Sequence, residues 1–219
     1  VALADVSPAL RSALVLSEDK RFYEHSGVDW QAVPAAAWAN LWNQRTRGAS
    51  TITMQLAGLL DGAGRPAGGR SVVQKAGQTL DATLLERSWR KDQILEAYLN
   101  LVPFRGELVG IDALSRTLFG KAAHGLDARE AAVAAALVRA PNANARQVTQ
   151  RACGVLGQMQ KLEQSRPAGP GASAAGAKLP APDCDALDMF ATAALQRRAF
   201  DASEGIAPHA ARQALREGR

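Results

Sequence analysis

The sequence has few aromatic residues, 5% of its 219 positions, whereas alanine accounts for roughly a fifth of them. An all-β sandwich is not expected, since strands favour aromatic and β-branched side chains. Alanine favours helices that approach one another closely, and the 47% share of hydrophobic residues is ample for a core. The composition therefore predicts an all-α fold, arranged as one large domain or as one domain with a small appendage.

Long apolar segments are also absent. No run of 18 apolar residues occurs, and Asp5 and Pro8 interrupt the first ten positions. A charged residue and a proline there disfavour the apolar core of a signal peptide. We therefore expect neither a signal peptide nor a membrane-spanning helix within these residues.

Cysteine and histidine are scarce, with two and three residues respectively. Cys153 and Cys184 are too far apart for a CxxC site, and the scattered histidines supply no ligand cluster, so we predict no metal site. The two cysteines either form a disulfide, in an oxidising compartment, or remain buried free thiols. The sequence leaves both alternatives open.

Basic residues outnumber acidic ones by 26 to 21, which gives a formal net charge of +5. A positive surplus suits the phosphates of a nucleic acid, an anionic membrane surface or a small phosphorylated substrate. The sign of the charge does not choose among these partners.

Capping signals mark the ends of several helices. Ser7 precedes Pro8, a typical N-cap followed by proline at the first helical position, and Ser50 with Thr51 is placed to cap a later helix. The predicted helices begin at Pro8, at Asp29, at Ile52, at Val72 with an interruption near Ser88, after the Asp127 and Glu130 capping box, and at Asp185.

The composition changes after the first two thirds of the chain. Residues 166–182 are dominated by Ala, Gly and Pro without periodicity, which predicts a flexible linker. We therefore expect a main domain over residues 1–150, followed over residues 151–219 by this linker and a helical tail.

Five segments carry chemistry-bearing residues in a fixed order. Taken alone, an acidic pair such as Glu18 and Asp19 is typical of a solvated helix end, so the joint occurrence of the five is what is distinctive. They are Ser17–Asp29 (SEDKRFYEHSGVD), Gly48–Leu56 (GASTITMQL), Arg70–Lys75 (RSVVQK) with Gln78 and Glu86 beyond it, Lys91–Asn100 (KDQILEAYLN) continued to Lys121, and Leu126–Pro141.

In order and spacing these segments resemble the five motifs of glycosyltransferase family 51, the peptidoglycan polymerase domain of class A penicillin-binding proteins and of monofunctional transglycosylases. Finer features resemble the 1C branch of those proteins. They are Met54 before Gln55, the Leu59–Asp61 ending, Gly68 and Gly69, and Ala-Pro-His at 207–209. The resemblance implies a lysozyme-like helical transglycosylase domain with a flexible C-terminal extension.

The resemblance also implies a reaction. Family members polymerise lipid II into β-1,4-linked glycan with inversion at the donor carbon and release of polyprenyl pyrophosphate. Inversion requires one carboxylate as base on the side of the nucleophile, and Glu18 matches the family's essential base. A partly buried carboxylate that is ionised yet able to take a proton would suit this role. Asp19 matches an adjacent acid that orients Lys20 or the substrate.

Departure of a pyrophosphate requires positive charge. Arg70 and Lys75 match the basic positions of the family, although a solvated helix face is the alternative interpretation. The residues expected to bind substrate are Asp19, Lys20, Ser50, Thr51, Gln55, Arg70 and Lys75. No cofactor is required, although a divalent cation such as Mg²⁺ could accompany the pyrophosphate.

The sequence departs from the family pattern at two positions. Gln78 stands where the family has a second catalytic Glu, and Gly58 stands where many relatives have a basic residue. An amide carries no negative charge and binds a divalent cation weakly. We therefore predict slow polymerase activity rather than none, with Gln78 as the second catalytic position.

The remaining motif residues have mainly structural interpretations. We expect Glu96 and Asn100 to hold their helix to the loop over Arg105–Gly110, and His25 to be a hydrogen-bonded packing residue. Ser88–Lys91 matches the Ser-x-x-Lys of a transpeptidase by accident, because neither partner element of that site occurs in these residues.

The implied partners are lipid II and the growing glycan strand, the inner-membrane surface and other cell-wall synthesis proteins, but no nucleic acid. The implied location is the bacterial periplasm, at the outer face of the inner membrane. A membrane-facing surface could be formed by Trp38, Trp42, Arg45, Arg47 and Arg65, with core packing as the alternative for both tryptophans.

Two other functions remain open. One is a lipid II or glycan-binding module that has lost turnover through Gln78 and Gly58. The other is a lytic muramidase. The muramidase is less favoured, because Arg70 and Lys75 have no purpose in the cleavage of an uncharged glycosidic bond.

Overall fold

A computed structural model describes residues 1–30, 50–61, 72–105, 108–165 and 181–197. Within these ranges there are eight α-helices and two short 3₁₀ turns, and no strand apart from an isolated bridge between Pro103 and Val109. The prediction of an all-α fold is confirmed. The helices are α1 (Pro8–Glu18), α2 (Ile52–Asp61), α3 (Val72–Ser88), α4 (Lys91–Leu101), α5 (Ile111–Phe119), α6 (Ala128–Arg139), α7 (Ala145–Ser165) and α8 (Cys184–Gln196).

The capping residues read from the sequence begin the helices as predicted. Ser7 Oγ accepts from the Leu10 amide at 3.0 Å at the start of α1. The Asp127 side chain accepts from the Glu130 amide at 2.9 Å, and the Glu130 side chain accepts from the Asp127 amide at 2.9 Å. These bonds satisfy amide groups that a helix otherwise leaves unpaired at its first turn.

Helix α6 is the centre of the core. Every residue from Ala131 to Val138 is buried, and the helix packs between α1 and α7. The small alanine side chains let neighbouring helices approach closely. Because these residues are buried on every side, the helix has no polar face between Ala131 and Val138. Leu10, Ala13 and Leu14 of α1 are completely buried beside it, so the end of α1 at Glu18 is held firmly.

Helices α2, α3 and α4 form a second packed group, in which α2 contacts both of the others. The loop after α1 joins this group through Gly27, whose φ is +86°. A Cβ at Gly27 would lie 2.9 Å from the backbone of Ala82 in α3. Only glycine therefore allows this loop to approach α3, since both its conformation and the space demand it.

Helices α7 and α8 are joined by a disulfide between Cys153 and Cys184, whose Cα atoms are 5.7 Å apart. This settles the alternative that the sequence left open. Thr149 of α7 also donates to Asp188 of α8 at 2.8 Å. Since α7 runs from Ala145 to Ser165, it crosses the predicted domain boundary at residue 150, and the boundary itself stays a prediction.

Helix α4 holds the N-terminal residues through two of its side chains. The Glu96 carboxylate accepts from the Leu3 amide at 2.7 Å, and Asn100 donates to the carbonyl of Val1 at 2.9 Å, so these side chains hold the N-terminal residues rather than the predicted loop. No described helix is both long and apolar enough to cross a bilayer.

Several predictions fall outside the described residues. They are the helix after Asp29, the linker over residues 166–182 apart from its last two residues, and the surface formed by Trp38, Trp42, Arg45, Arg47 and Arg65.

Candidate active site

A cleft of about 470 Å³ lies between the end of α1, the start of α2 and one face of α7. It brings together five of the predicted site residues and adds seven polar residues that were not predicted to belong to the site. The predicted ones are Glu18, Asp19, Lys20, Ser50 and Thr51, and the added ones are Ser17, Arg21, Asp29, Arg139, Gln150, Arg151 and Gln158.

Glu18 is the last residue of α1 and lies half-buried in the wall of the cleft. Its Oε1 accepts from Ser17 Oγ at 3.0 Å, and its Oε2 accepts from Gln55 Nε2 at 3.2 Å. Two neutral donors stabilise the carboxylate without a cation paired to it at contact distance among the described residues. Such a carboxylate is suited to accept a proton from a ligand in the cleft.

Gln55 is bonded at both ends of its amide group. While Nε2 faces Glu18, its Oε1 accepts from the hydroxyl of Tyr98 at 2.8 Å. Tyr98 is 1% exposed, and burial, followed by the charge of Glu18, raises the pKa of its hydroxyl far above the ordinary value. Tyr98 therefore stays a hydrogen-bond donor throughout the range in which a carboxylate base works.

Tyr98 lies in the fourth segment, but the sequence analysis assigned it no role in the site. Its ring belongs to the hydrophobic core. The available signal was the hydroxyl itself, because a buried tyrosine normally finds a partner for it.

Asp19 is directed into the protein. Its side chain is 4% exposed, and both carboxylate oxygens lie 3.0 Å from His25 Nε2. One of them also accepts from the Ile52 amide at 3.0 Å, at the first residue of α2. Asp19 thus ties the loop after α1 to the start of α2, and its predicted contact with substrate stays a prediction.

His25 is hydrogen-bonded and packed, as the sequence predicted. Its side chain is 5% exposed, and its ring meets the ring of Phe22 edge to face at 6.5 Å between centroids. Because an ionised carboxylate only accepts, His25 Nε2 carries a proton and donates to Asp19. Nδ1 is buried without a hydrogen-bond partner among the described residues.

Thr51 fastens the start of α2 in a second way. Its hydroxyl accepts from the Met54 amide at 3.1 Å and donates to the carbonyl of Gly27 at 2.5 Å. Thr51 is 3% exposed, and its hydroxyl is occupied by these two internal bonds. Ser50, by contrast, is half-buried and lines the cleft. Lys20 is exposed beside them.

Positive charge surrounds the acids of the cleft. Its lining contains Lys20, Arg21, Arg139 and Arg151. The pKa of Arg21 is raised chiefly by its hydrogen bond to Glu24 and further by the charge of Asp29, so this guanidinium remains a cation. The side chain of Arg139 donates to the carbonyl of Ser17 at 3.2 Å, close to Glu18.

Arg139 and Arg151 were not predicted as site residues, for different reasons. Arg139 lies within the fifth segment, as the last residue of α6, so its position in that segment was the available signal. Arg151 lies on α7, beyond all five segments, and only the packing of α7 against α1 brings it to the cleft.

The leaving-group residues predicted from the sequence are less completely placed. Arg70 lies outside the described residues, while Lys75 and Gln78 lie on α3, which is described here through its backbone alone at those positions. Their predicted roles stay predictions.

The described residues contain no group of three His, Cys, Asp or Glu side chains able to hold a metal ion. Of the acids in the cleft, Asp19 is bonded to His25 and Asp29 to Arg21. The described residues form no site for a resident Mg²⁺, and a cation that accompanies the pyrophosphate stays a prediction.

Comparison with known proteins identifies the family. The family described as Transglycosylase matches residues 1–160. The biosynthetic peptidoglycan transglycosylase of Rhodospirillum centenum is 41% identical over 141 residues, 64% of this chain and 59% of that protein. Penicillin-binding protein 1C of Escherichia coli is 42% identical over 143 residues, 65% of this chain and 18% of that protein.

A third relative extends further along the chain. The biosynthetic peptidoglycan transglycosylase of Pectobacterium atrosepticum is 36% identical over 171 residues, 74% of this chain and 67% of that protein. The chain spans less than two thirds of the length of the Rhodospirillum centenum protein. Because the family match covers most of the chain, the resemblance read from the five segments is confirmed, and the chain belongs to the transglycosylase family.

Proposed function

We propose that this chain is an inverting peptidoglycan glycosyltransferase that polymerises lipid II, with Glu18 as the general base. The observation that carries the proposal is the position of Glu18 in the wall of a cleft, half-buried, held by two neutral donors and flanked by cationic side chains. The family match and the names of the relatives agree with this activity.

The reaction follows from the groups present. The 4-hydroxyl of the incoming N-acetylglucosamine attacks the anomeric carbon of the donor sugar, and Glu18 takes the hydroxyl proton as the new β-1,4 bond forms. The bond from that carbon to the pyrophosphate breaks, and its electron pair leaves with the polyprenyl pyrophosphate. Because the hydroxyl attacks from the face opposite the leaving pyrophosphate, the configuration at the anomeric carbon is inverted.

The departing pyrophosphate needs cations rather than a proton donor. Lys20, Arg139 and Arg151 line the cleft and can neutralise the charge that develops on the leaving oxygen. Arg70 and Lys75 extend this basic set in the proposal. The same cations explain why a lytic muramidase fits the site less well, because cleavage of a neutral glycosidic bond develops no such charge on its leaving group.

The proposed location is the outer face of the inner membrane in the bacterial periplasm. The support is chemical: the substrate is a lipid-linked sugar, so the cleft has to work at a bilayer surface. A disulfide between Cys153 and Cys184 also agrees with an oxidising compartment. Other cell-wall synthesis proteins are the proposed protein partners.

A second candidate is a lipid II or glycan-binding module without turnover. Gln78 and Gly58 favour it, because both replace charged residues that the family resemblance leads one to expect. This candidate predicts tight binding of lipid II without glycan product, whereas the polymerase predicts lipid II binding and glycan product.

The deciding experiment is incubation of the chain with fluorescently labelled lipid II, followed by gel separation of the products. The proposal predicts a ladder of glycan strands that lysozyme digests. Binding without a ladder would favour the binding module, and release of soluble fragments from purified cell wall would favour the muramidase.

Replacement of Gln78 by Glu should raise the polymerisation rate by about tenfold, because it restores a negative charge to the third segment. Gln164→Glu makes the same chemical change at an exposed position near the end of α7 and should leave the rate unchanged. Equal rates for the parent and Gln78→Glu would show that this position does not limit turnover.

A further inference from the structure

Three side chains from three helices form a continuous hydrogen-bonded series. Tyr98 of α4 donates to Gln55 Oε1 at 2.8 Å, and Gln55 of α2 donates from Nε2 to Glu18 at 3.2 Å. Glu18 ends α1. Tyr98 does not belong to the lining of the cleft, so any influence it has on the reaction passes through Gln55.

The chemistry of the three groups fixes the orientation of the amide. An ionised carboxylate can only accept, so the NH₂ group of Gln55 has to face Glu18. Its carbonyl oxygen then faces Tyr98, where the phenol has to donate. A reversed amide would place two acceptors against each other at Glu18, which is unfavourable.

We propose that Tyr98 is a positioning residue for the polymerase reaction, whose buried hydroxyl holds the Gln55 amide so that its NH₂ group orients and stabilises the base Glu18. This inference rests on the proposed function. It gives the fourth segment, which the sequence analysis regarded as structural, a part in the chemistry of the first.

The surroundings of Tyr98 support this role. The residue is 1% exposed and packs in the core with Ile94, Leu95 and Leu99, so its hydroxyl has a fixed position. Burial and the nearby charge of Glu18 raise the pKa of the hydroxyl, which keeps the proton on the phenol. A rigid, permanently protonated donor is what the amide needs in order to keep one orientation.

Loss of the phenol would leave the Gln55 carbonyl without its donor. Because Gln55 is half-buried, a carbonyl without its donor is unfavourable there, so the amide would rotate toward another donor and withdraw its NH₂ group from Glu18. The carboxylate would then lose one of its two donors, which weakens its ionised form and its orientation toward the acceptor hydroxyl.

The test compares Tyr98→Phe with Tyr23→Phe. Tyr23 is 58% exposed, so its variant removes the same atom outside the series. We expect Tyr98→Phe to lower kcat about tenfold with KM within about twofold, and to move the acid limb of the rate profile up by about one pH unit. Tyr23→Phe should match the parent in all three.

A double-mutant cycle separates this role from a general effect on folding. Gln55→Met removes the amide at similar length, and we expect the double variant with Tyr98→Phe to be no slower than Gln55→Met alone. Additive losses of kcat would overturn the proposal, as would a Tyr98→Phe enzyme with the kcat and pH profile of the parent.

A second readout needs no turnover. In ¹⁵N-labelled protein, the Gln55 side-chain amide signal is identified by its absence from Gln55→Met. We expect it to shift in Tyr98→Phe and in Glu18→Gln but not in Tyr23→Phe. If the parent made no glycan the proposed function would fail, yet this signal would still decide the hydrogen-bonded series, and an unshifted signal in Tyr98→Phe would refute it.

Discussion

Replacement of Glu18 by Gln should lower the rate of glycan formation by about 1000-fold while lipid II still binds. The amide has nearly the same shape, and its oxygen can accept from Gln55 while its NH₂ group donates to Ser17 Oγ, so the end of α1 keeps its structure. Only the ability to take the proton of the attacking hydroxyl is lost. Because that transfer belongs to the transition state, kcat should fall and KM should change little.

The matched control is Glu163→Gln, which makes the same change at an exposed position on α7 and should polymerise like the parent. Denaturant unfolding of both variants should give stabilities within about 1 kcal/mol of the parent. The assignment of Glu18 as base would be wrong if Glu18→Gln kept more than about a tenth of the parent rate at full stability.

Replacement of Asp19 by Ala should reduce the free energy of unfolding by about 3 kcal/mol. The reason is that the Asp19 carboxylate is buried and receives bonds from His25 and from the Ile52 amide. Its removal leaves both donors buried without a partner and frees the start of α2. Urea unfolding followed by circular dichroism measures the change.

Asp5→Ala is the control for this prediction, because Asp5 is exposed, and its stability should lie within about 0.5 kcal/mol of the parent. The experiment also distinguishes two roles of Asp19. A stability loss below about 1 kcal/mol together with a large loss of activity would mean that Asp19 acts on the substrate, as the family resemblance implied, rather than on the fold.

Local signals predicted the helices well. Ser7 and the pair Asp127 and Glu130 act within three residues of their own position, so a short window of sequence is enough to find them. The same is true of the interruption near Ser88, where α3 ends and α4 begins at Lys91. Such features depend on backbone groups that any helix of this kind presents.

The site was predicted in part. Glu18 was found because it belongs to a segment whose order and spacing are distinctive, and the structure places it in the cleft. The contact of Tyr98 with Gln55 spans 43 positions, and no local pattern reveals it. Arg151 reaches the cleft only through the packing of α7 on α1.

The sequence also left undetermined the direction in which neighbouring side chains point. Asp19 follows Glu18 immediately, yet one carboxylate opens to the cleft while the other is 4% exposed and bonded internally. The helix ends between them, and the change of backbone direction at Asp19, with φ −157°, sends the two side chains apart. Glu96 and Asn100 similarly bond to Leu3 and Val1, which lie far away in sequence.

The most direct test of the account is the pH dependence of glycan formation from lipid II, measured side by side for the parent and for Glu18→Gln. If Glu18 is the base, the parent rate should fall about tenfold per pH unit on the acid side, and the residual rate of the variant should show no such limb. An acid limb of the same slope and midpoint in both proteins would contradict the central claim, because the titrating group would then lie elsewhere.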